Sequence, residues 1–211
     1  LTNSTVNSLY VLLPSLSEQT AIASFLDDRT TAIDSKIQLL EEKATALADL
    51  RKSVIHKAVT KGLDPNVAMK PSGVEWIGAV PSHWLIKRLK NIAGIKKGEP
   101  FPEASSDAKD YPYFNGGKNP SGWSEYFNSD DTTVAVSEGG ASAGDVHSVK
   151  SKYWAGSHCY IVKPTNFTNV QYLYYLLKAG EEQFILAQTG SAMPNLQKSR
   201  FMNQFACFVQ D

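Results

Sequence analysis

Between residues 17 and 61 the chain contains no proline or glycine, and apolar side chains return every seven residues at Leu26, Ile33, Leu40, Leu47 and Val54. Four residues after each of these stand Thr30, Ile37, Ala44, Arg51 and Ala58. Five heptads with an apolar d position and a mixed a position predict a long coiled-coil-type helix packed along its length on another helix. Ser15 and Glu18, three residues apart behind Pro14, form a capping box that predicts the helix start, and Gly62 followed by Pro65 predicts its stop. A run of ~44 helical residues spans about 66 Å, longer than a small domain is wide; a helix lying on its own domain is the alternative. The packing residues of the seam are Ile33, Ile37, Leu40, Ala44, Leu47 and Val54, with small Ala44 permitting close approach. Ahead of the helix, residues 9–13 read as a short strand.

Past the helix the pattern changes. Residues 62–83 carry Gly62, Pro65, Pro71, Gly73, Gly78 and Pro81, which predict a linker and a domain boundary. Short strand-like runs follow at 92–95, 132–137, 159–163 and 205–209, separated by turn signals such as Asn115-Gly116-Gly117 and Glu138-Gly139-Gly140. One amphipathic helix is predicted over 171–187. The expected fold class is α+β: a tail over 1–14, a long helix over 15–62, a linker over 63–79 and a mixed α+β domain over 80–211.

Composition narrows the class without naming a function. Of 211 residues 42% are hydrophobic and 20% charged, ordinary globular usage that argues against disorder. Cys159 and Cys207 form no Cys-x-x-Cys pair, so neither a metal site nor a secreted disulfide framework is expected, and a reducing cytoplasm is the default. No apolar run approaches the ~20 residues of a membrane helix, and the start, Leu1-Thr2-Asn3-Ser4, lacks the regions of a signal peptide. The missing initiator methionine points to a fragment or a processed chain. Formal charge is zero, 21 basic against 21 acidic residues, yet charge is segregated. Lys87, Arg88, Lys90, Lys96 and Lys97 occupy 84–98 without an acid, and six basic residues face two acidic ones over 146–210. Local basic surfaces of the kind that contact phosphates are therefore available despite neutrality.

Candidate chemistry is sparse. His56, His83, His147 and His158 sit in unrelated contexts, and no triad motif is present. Adjacent His158 and Cys159 on a strand face opposite sides, which disfavours shared metal ligation. The stretch 139–144 has the glycines of a phosphate cradle, but no lysine follows Gly144, so a tight turn is the plainer assignment. Asn119-Pro120-Ser121-Gly122-Trp123 is similar to the Asn-Pro-Pro-aromatic motif of amino-methyltransferases, without its second proline. Glu103, Asp107 and Lys109 are the nearest set to a nuclease centre and read as a solvated acidic loop.

Several stretches together resemble the DNA-specificity subunit of type I restriction–modification systems. Leu13-Pro14-Ser15-Leu16-Ser17-Glu18-Gln19, running into Ile22-Ala23-Ser24-Phe25-Leu26-Asp27, looks like the passage into that family's spacer helix. Leu47-Ala48-Asp49-Leu50-Arg51-Lys52-Ser53-Val54-Ile55 and Ala58-Val59-Thr60-Lys61-Gly62-Leu63-Asp64 look like the helix end. Ser72-Gly73-Val74-Glu75-Trp76-Ile77-Gly78 and Val80-Pro81-Ser82-His83-Trp84 look like the entrance to a recognition domain, and Gly190-Ser191-Ala192-Met193-Pro194-Asn195-Leu196 resembles its late loop. The family's full subunit carries two recognition domains and two antiparallel spacer helices, whereas this chain holds one of each.

The resemblance implies a non-catalytic component, without cofactor or metal, that selects DNA sequence for separate methyltransferase (modification) subunits and a restriction/translocase subunit. It implies double-stranded DNA as partner; the missing long apolar run leaves no membrane expected, and the apolar seam of a single spacer helix, having no internal partner, predicts self-association through the long helix as a dimer. The candidates for base-edge or backbone contact are Asn115, Lys118, Asn119, Ser142, Ser191, Asn195, Gln197, Lys198 and Arg200. Trp123, Tyr126, Tyr153 and Trp154 are expected in the core rather than as stacking platforms, while Met193 either inserts or packs. The alternatives are a coiled-coil interaction scaffold whose globular domain binds protein, and a self-sufficient methyltransferase.

Overall fold

The computed structural model describes residues 12–101, 110–140, 142–147, 149–166, 168–190 and 194–208. Helix α1 runs from Leu16 to Lys61. Its start is the capping box: the Ser15 N–H donates to Glu18 Oε2 at 3.0 Å and the Glu18 N–H donates to Ser15 Oγ at 3.4 Å. Hydrogen bonds from the Ser15 side chain and backbone hold the Glu18 carboxyl below its usual range. Its end is Gly62, whose φ of +75° would strain any residue with a Cβ.

The chain divides into two compact units, Leu1–Leu50 and Arg51–Asp211. Every described residue of the first is exposed except a half-buried Gln19. Ile33, Ile37, Leu40, Ala44 and Leu47 therefore form an apolar stripe with no cover among the described residues of that unit. Residues 9–13, read as a strand, lie largely outside the described residues; Leu12 and Leu13 are in no regular element.

The second unit begins with the last turns of α1. Val54 is still exposed, but Val59 joins the main core and Thr60 is wholly buried. The Thr60 hydroxyl donates to the His56 carbonyl at 2.7 Å, and His56 Nε2 donates to the Trp76 carbonyl at 2.8 Å. The following proline- and glycine-rich stretch is folded. Strands β1 (Met69–Pro71) and β2 (Ala79–Pro81) pair antiparallel, and Ile77, Val80 and Trp84 make a small core with Cys207.

The main sheet is antiparallel throughout. Its strands are β4 (Ala93–Lys97), β7 (Val134–Ser137), β8 (Val146–His147) and β10 (Cys159–Pro164), in the order β4-β10-β7-β8. All four residues of β7 and the first four of β10 are buried, and their β-branched, small and aromatic side chains suit a central position. A second sheet has the order β6-β5-β9, from β5 (Tyr111–Phe114), β6 (Gly122–Ser124) and β9 (Trp154–Ala155). Strand β3 (Leu85–Arg88) pairs with β11 (Phe205–Phe208).

Helix α2 (Val170–Ala179) is capped by Asn169, whose Oδ1 accepts the N–H groups of Gln171 and Tyr172 at 2.8 and 3.1 Å. It buries Leu173, Tyr174, Leu176 and Leu177, one face at helical spacing. The single helix predicted over 171–187 is two. Gly180 ends α2 by donating to the Leu176 and Leu177 carbonyls, and α3 (Glu181–Leu186) starts afresh. Helix α4 spans Lys198–Met202.

The strand predicted at 92–95 begins one residue later, because Ile92 is buried at the end of a 3-10 turn over Leu89–Asn91. Tyr153 is buried as expected and Trp154 half-buried, but Trp123 and Tyr126 are exposed. Trp123 alternates with inward Ser124 on the short β6, so the strand's pleat turns the indole outward. The class is α+β, a long helix plus a mixed globular domain. Among the described residues no helix is long and apolar enough to cross a membrane.

Candidate nucleic-acid interface

Antiparallel pairing brings the end of β7, the start of β10 and the end of β4 to one end of the main sheet. Three connections converge there. The Glu138 N–H donates to the His158 carbonyl at 2.7 Å, joining the loops that leave β7 and enter β10. The segment following α3 returns to the same place: the Leu196 N–H donates to the Glu138 carbonyl at 2.7 Å, and the Gly140 N–H donates to the Pro194 carbonyl at 3.0 Å. Asn195 exchanges two backbone hydrogen bonds with Thr189, both 2.9 Å.

The β5–β6 turn closes the cluster. Asn115 Oδ1 accepts the His158 N–H at 3.2 Å. Gly116, at a φ of +90°, passes so near that a Cβ would lie 3.1 Å from the Gly139 carbonyl oxygen and 3.2 Å from the His158 Cβ. Loops 115–117, 138–140, 156–158 and 194–196 thus form one polar, glycine-rich platform. Lys118 and Asn119 are exposed at the tip of the β5–β6 turn.

Beside the platform runs an open groove of about 860 Å³, lined on one side by Ala93, Gly94 and Ile95 of β4 and on the other by residues of α4. Asn195, Gln197 and Lys198 all line it, together with Lys90, Ser199 and Asn203. Its floor holds one carboxylate, Glu138, which is 7% exposed and neutralised by Lys97, whose Nζ is 2.8 Å from Glu138 Oε2. Exposed Lys90 and Lys198 leave the rim net positive. Burial pushes the Tyr160 hydroxyl up, and its bond to Glu138 acts in the same direction.

Three of the nine sequence candidates therefore share the groove, and Asn115, Lys118 and Asn119 lie on or beside the adjoining platform. Ser142 sits in the tight β7–β8 turn, where its carbonyl accepts the Asp145 N–H at 3.0 Å, and Arg200 is exposed on α4; neither lines the groove. Ser191 and Met193 lie outside the described residues, as do Glu103, Asp107 and Lys109. Sequence reasoning missed Lys90, Lys97, Glu138, Tyr160 and Asn203. The basic run over 84–98 contained the signal for the two lysines. Nothing local marked Glu138, whose partners Lys97 and Tyr160 are far off in sequence.

Other chemistry-bearing groups are enclosed. Ser137 Oγ lies 2.9 Å from His147 Nε2, a pairing of the nucleophile–base type, but both residues are buried. Burial holds the His147 imidazole down at about 4; the nearby Asp145 carboxylate opposes this and Lys178 acts with burial. Cys159 is buried and its thiol pushed up to about 11 by desolvation, unsuited to nucleophilic attack. Among the described residues no group of three or more His, Cys, Asp or Glu side chains is arranged to hold a metal ion.

Residues 81–204 match the family described as type I restriction modification DNA specificity domain. A protein of Mycoplasma pneumoniae named as a type I specificity subunit is 32% identical over 123 residues, covering 56% of this chain and 32% of its own length. The MjaVIII type I restriction enzyme specificity subunit of Methanocaldococcus jannaschii is 30% identical over 94 residues, 44% of this chain and 20% of that protein. The chain thus spans about a third or less of these relatives. A solved chain from a study of assembly and conformational transition in the type I R-M system superposes with a TM-score of 0.68 at 17% identity, over 99% of this chain and 51% of that one.

Proposed function

Given that this chain belongs to the type I restriction modification DNA specificity family, we propose that it reads one part of a two-part duplex site for a type I restriction–modification complex. Membership answers the scaffold alternative, since the globular part is a DNA specificity domain. The observation that carries the proposal is the convergence of Asn195, Gln197 and Lys198 with Lys90 on one net-positive groove beside a glycine-rich platform. Amides are the side chains that bond bidentately to adenine, and lysines fix register on phosphates without reading sequence. Asn115, Lys118, Asn119, Ser142, Ser191 and Arg200 are further contact candidates.

The chain supplies no chemistry of its own in this scheme and carries no cofactor or metal. Methyltransferase subunits and a restriction/translocase subunit act where it binds, in the cytoplasm. Two copies pair through Ile33, Ile37, Leu40, Ala44, Leu47 and Val54, antiparallel, as an isologous dimer that puts the two recognition domains at opposite ends. In support, Ile33, Ile37, Leu40, Ala44 and Leu47 form an exposed apolar stripe with no cover among the described residues of the first unit. A helix of ~66 Å then acts as a ruler approaching two duplex turns of about 34–36 Å each.

Binding of the chain to duplex DNA across a salt series tests the proposal. The expected log–log slope is steep, near −0.9 per neutralised phosphate, with some duplexes preferred over others at every salt concentration. A flat slope, or equal affinity for all duplexes, would contradict it.

A further inference from the structure

In the floor of the groove lies a largely buried polar cluster. Tyr160 is 3% exposed, and its ring stacks on Phe201 with centroids 6.2 Å apart. Its hydroxyl is 3.0 Å from Glu138 Oε1 and 2.9 Å from the Leu196 carbonyl oxygen. Lys97 Nζ completes the cluster, 3.1 Å from the same Oε1 and 2.8 Å from Oε2. Burying a carboxylate and a hydroxyl is costly even when both are paired, and an apolar cluster of the same volume is commonly the more stable solution. Stability alone is thus a poor reason for this arrangement.

Geometry supplies a better one. Leu196 is fully buried and stands between Asn195 and Gln197, both exposed on the groove. It is held on both sides: its N–H donates to the Glu138 carbonyl at 2.7 Å, and its carbonyl shares the single Tyr160 hydroxyl proton with Glu138 Oε1. Glu138 is therefore bound to this segment through its backbone and, by way of Tyr160, through its side chain. Whatever fixes Leu196 fixes the directions in which the two neighbouring amides leave the chain. A bidentate amide–base pair needs donor and acceptor placed within a fraction of an ångström, so looseness here degrades discrimination before it degrades attraction to phosphate.

We infer that Glu138 and Tyr160 are positioning residues for sequence discrimination, holding Leu196 so that the Asn195 and Gln197 amides present one geometry to base edges. The inference rests on the DNA-reading role proposed above. Lys97 belongs to the same device: it neutralises Glu138 so that the groove floor does not repel the phosphates the rim attracts.

The test compares the 211-residue chain with Tyr160→Phe, which deletes the hydroxyl and keeps the stacked ring, and with Glu138→Gln, which keeps an acceptor for Tyr160 and removes the charge. Each protein selects from a duplex library carrying a randomised segment, and the bound duplexes are sequenced. Affinity for one fixed random-sequence duplex and its salt slope are measured in parallel, with thermal melting to confirm that each variant is folded at the assay temperature. The wild type enriches a defined motif. Tyr160→Phe loses about fivefold in preference at the positions read by the amides, the effect of one hydrogen bond, while the random-duplex affinity and slope stay within about twofold. Glu138→Gln shows a smaller loss of preference. If Tyr160→Phe does not fold, Glu138→Gln decides. Undiminished preference in the folded variants overturns the positioning role. Equal losses on selected and random duplexes overturn it too, being the mark of a merely structural defect. A wild type that enriches no motif overturns the DNA-reading role itself, and this inference with it.

Discussion

Replacing Leu40 and Leu47 by aspartate places four carboxylates, two from each copy, in the seam of the proposed dimer. In the single chain Ile33, Ile37, Leu40, Leu47 and Val54 are 49–58% exposed, so roughly half of each side chain's transfer free energy is still to be gained. Full burial of such a side chain is worth about 1.5–3 kcal/mol, which leaves about 0.75–1.5 kcal/mol apiece and about 8–15 kcal/mol gross for ten side chains in a pair. Association costs about 4–15 kcal/mol of that; pairing at tens of micromolar needs a surplus of about 6 kcal/mol, which lies inside the range that remains. The double substitution withdraws four half-buried leucines, about 4 kcal/mol before any cost of desolvating the carboxylates, and weakens the dimer by about a thousandfold. The helix itself survives, because the substituted positions are exposed in the monomer and aspartate costs only a few tenths of a kcal/mol each in a helix interior. Sedimentation equilibrium on both proteins, with circular dichroism to verify helicity, reads the result. A wild-type monomer at tens of micromolar, or a mutant that dimerises equally well, refutes the pairing.

Lys198→Ala weakens binding to all duplexes alike and reduces the magnitude of the log–log salt slope by about 0.9, one phosphate contact, whereas Asn195→Ala leaves the slope alone and changes the ranking among sequences; fluorescence anisotropy on a duplex panel distinguishes the two. Buried His147 titrates at about 4 in the folded chain against 6.5 when free, so the unfolded state binds the extra proton between those values. Stability is full above pH 6.5 and falls as pH drops toward 4, by about 3 kcal/mol for this group, and His147→Gln flattens the urea-midpoint profile over that window; an unchanged profile contradicts the assignment. The purified chain neither methylates nor cleaves duplex DNA when given a methyl donor, ATP and magnesium, and turnover in a radiolabel or gel assay would contradict its non-catalytic role.

The long helix was legible because its signals are local. The heptads, the Ser15–Glu18 box and the Gly62 stop each act within a turn or two, and no distant contact is needed to read them. Gly180 was visible too, but an amphipathic pattern running past it on both sides masked the break that Leu176, Leu177 and Gly180 make together. Trp123 and Tyr126 were misplaced because aromatic residues are usually buried, while which face of the two-residue alternation on β6 looks outward is decided by packing elsewhere. Asn195, Gln197 and Lys198 were legible as candidates because they are polar residues in a late loop that follows Gly190 and Pro194. Their meeting with Lys90 and Glu138 was not, because it depends on β4, β7 and α4 arriving at one groove from segments that share no sequence pattern.

Mapping DNA methylation in cells with and without the gene for this chain tests sequence selection most directly. Loss of methylation at one two-part motif, with every other modified site untouched, is the expected result. An unchanged methylome would contradict the assignment of this chain as the sequence-reading part of a restriction–modification complex.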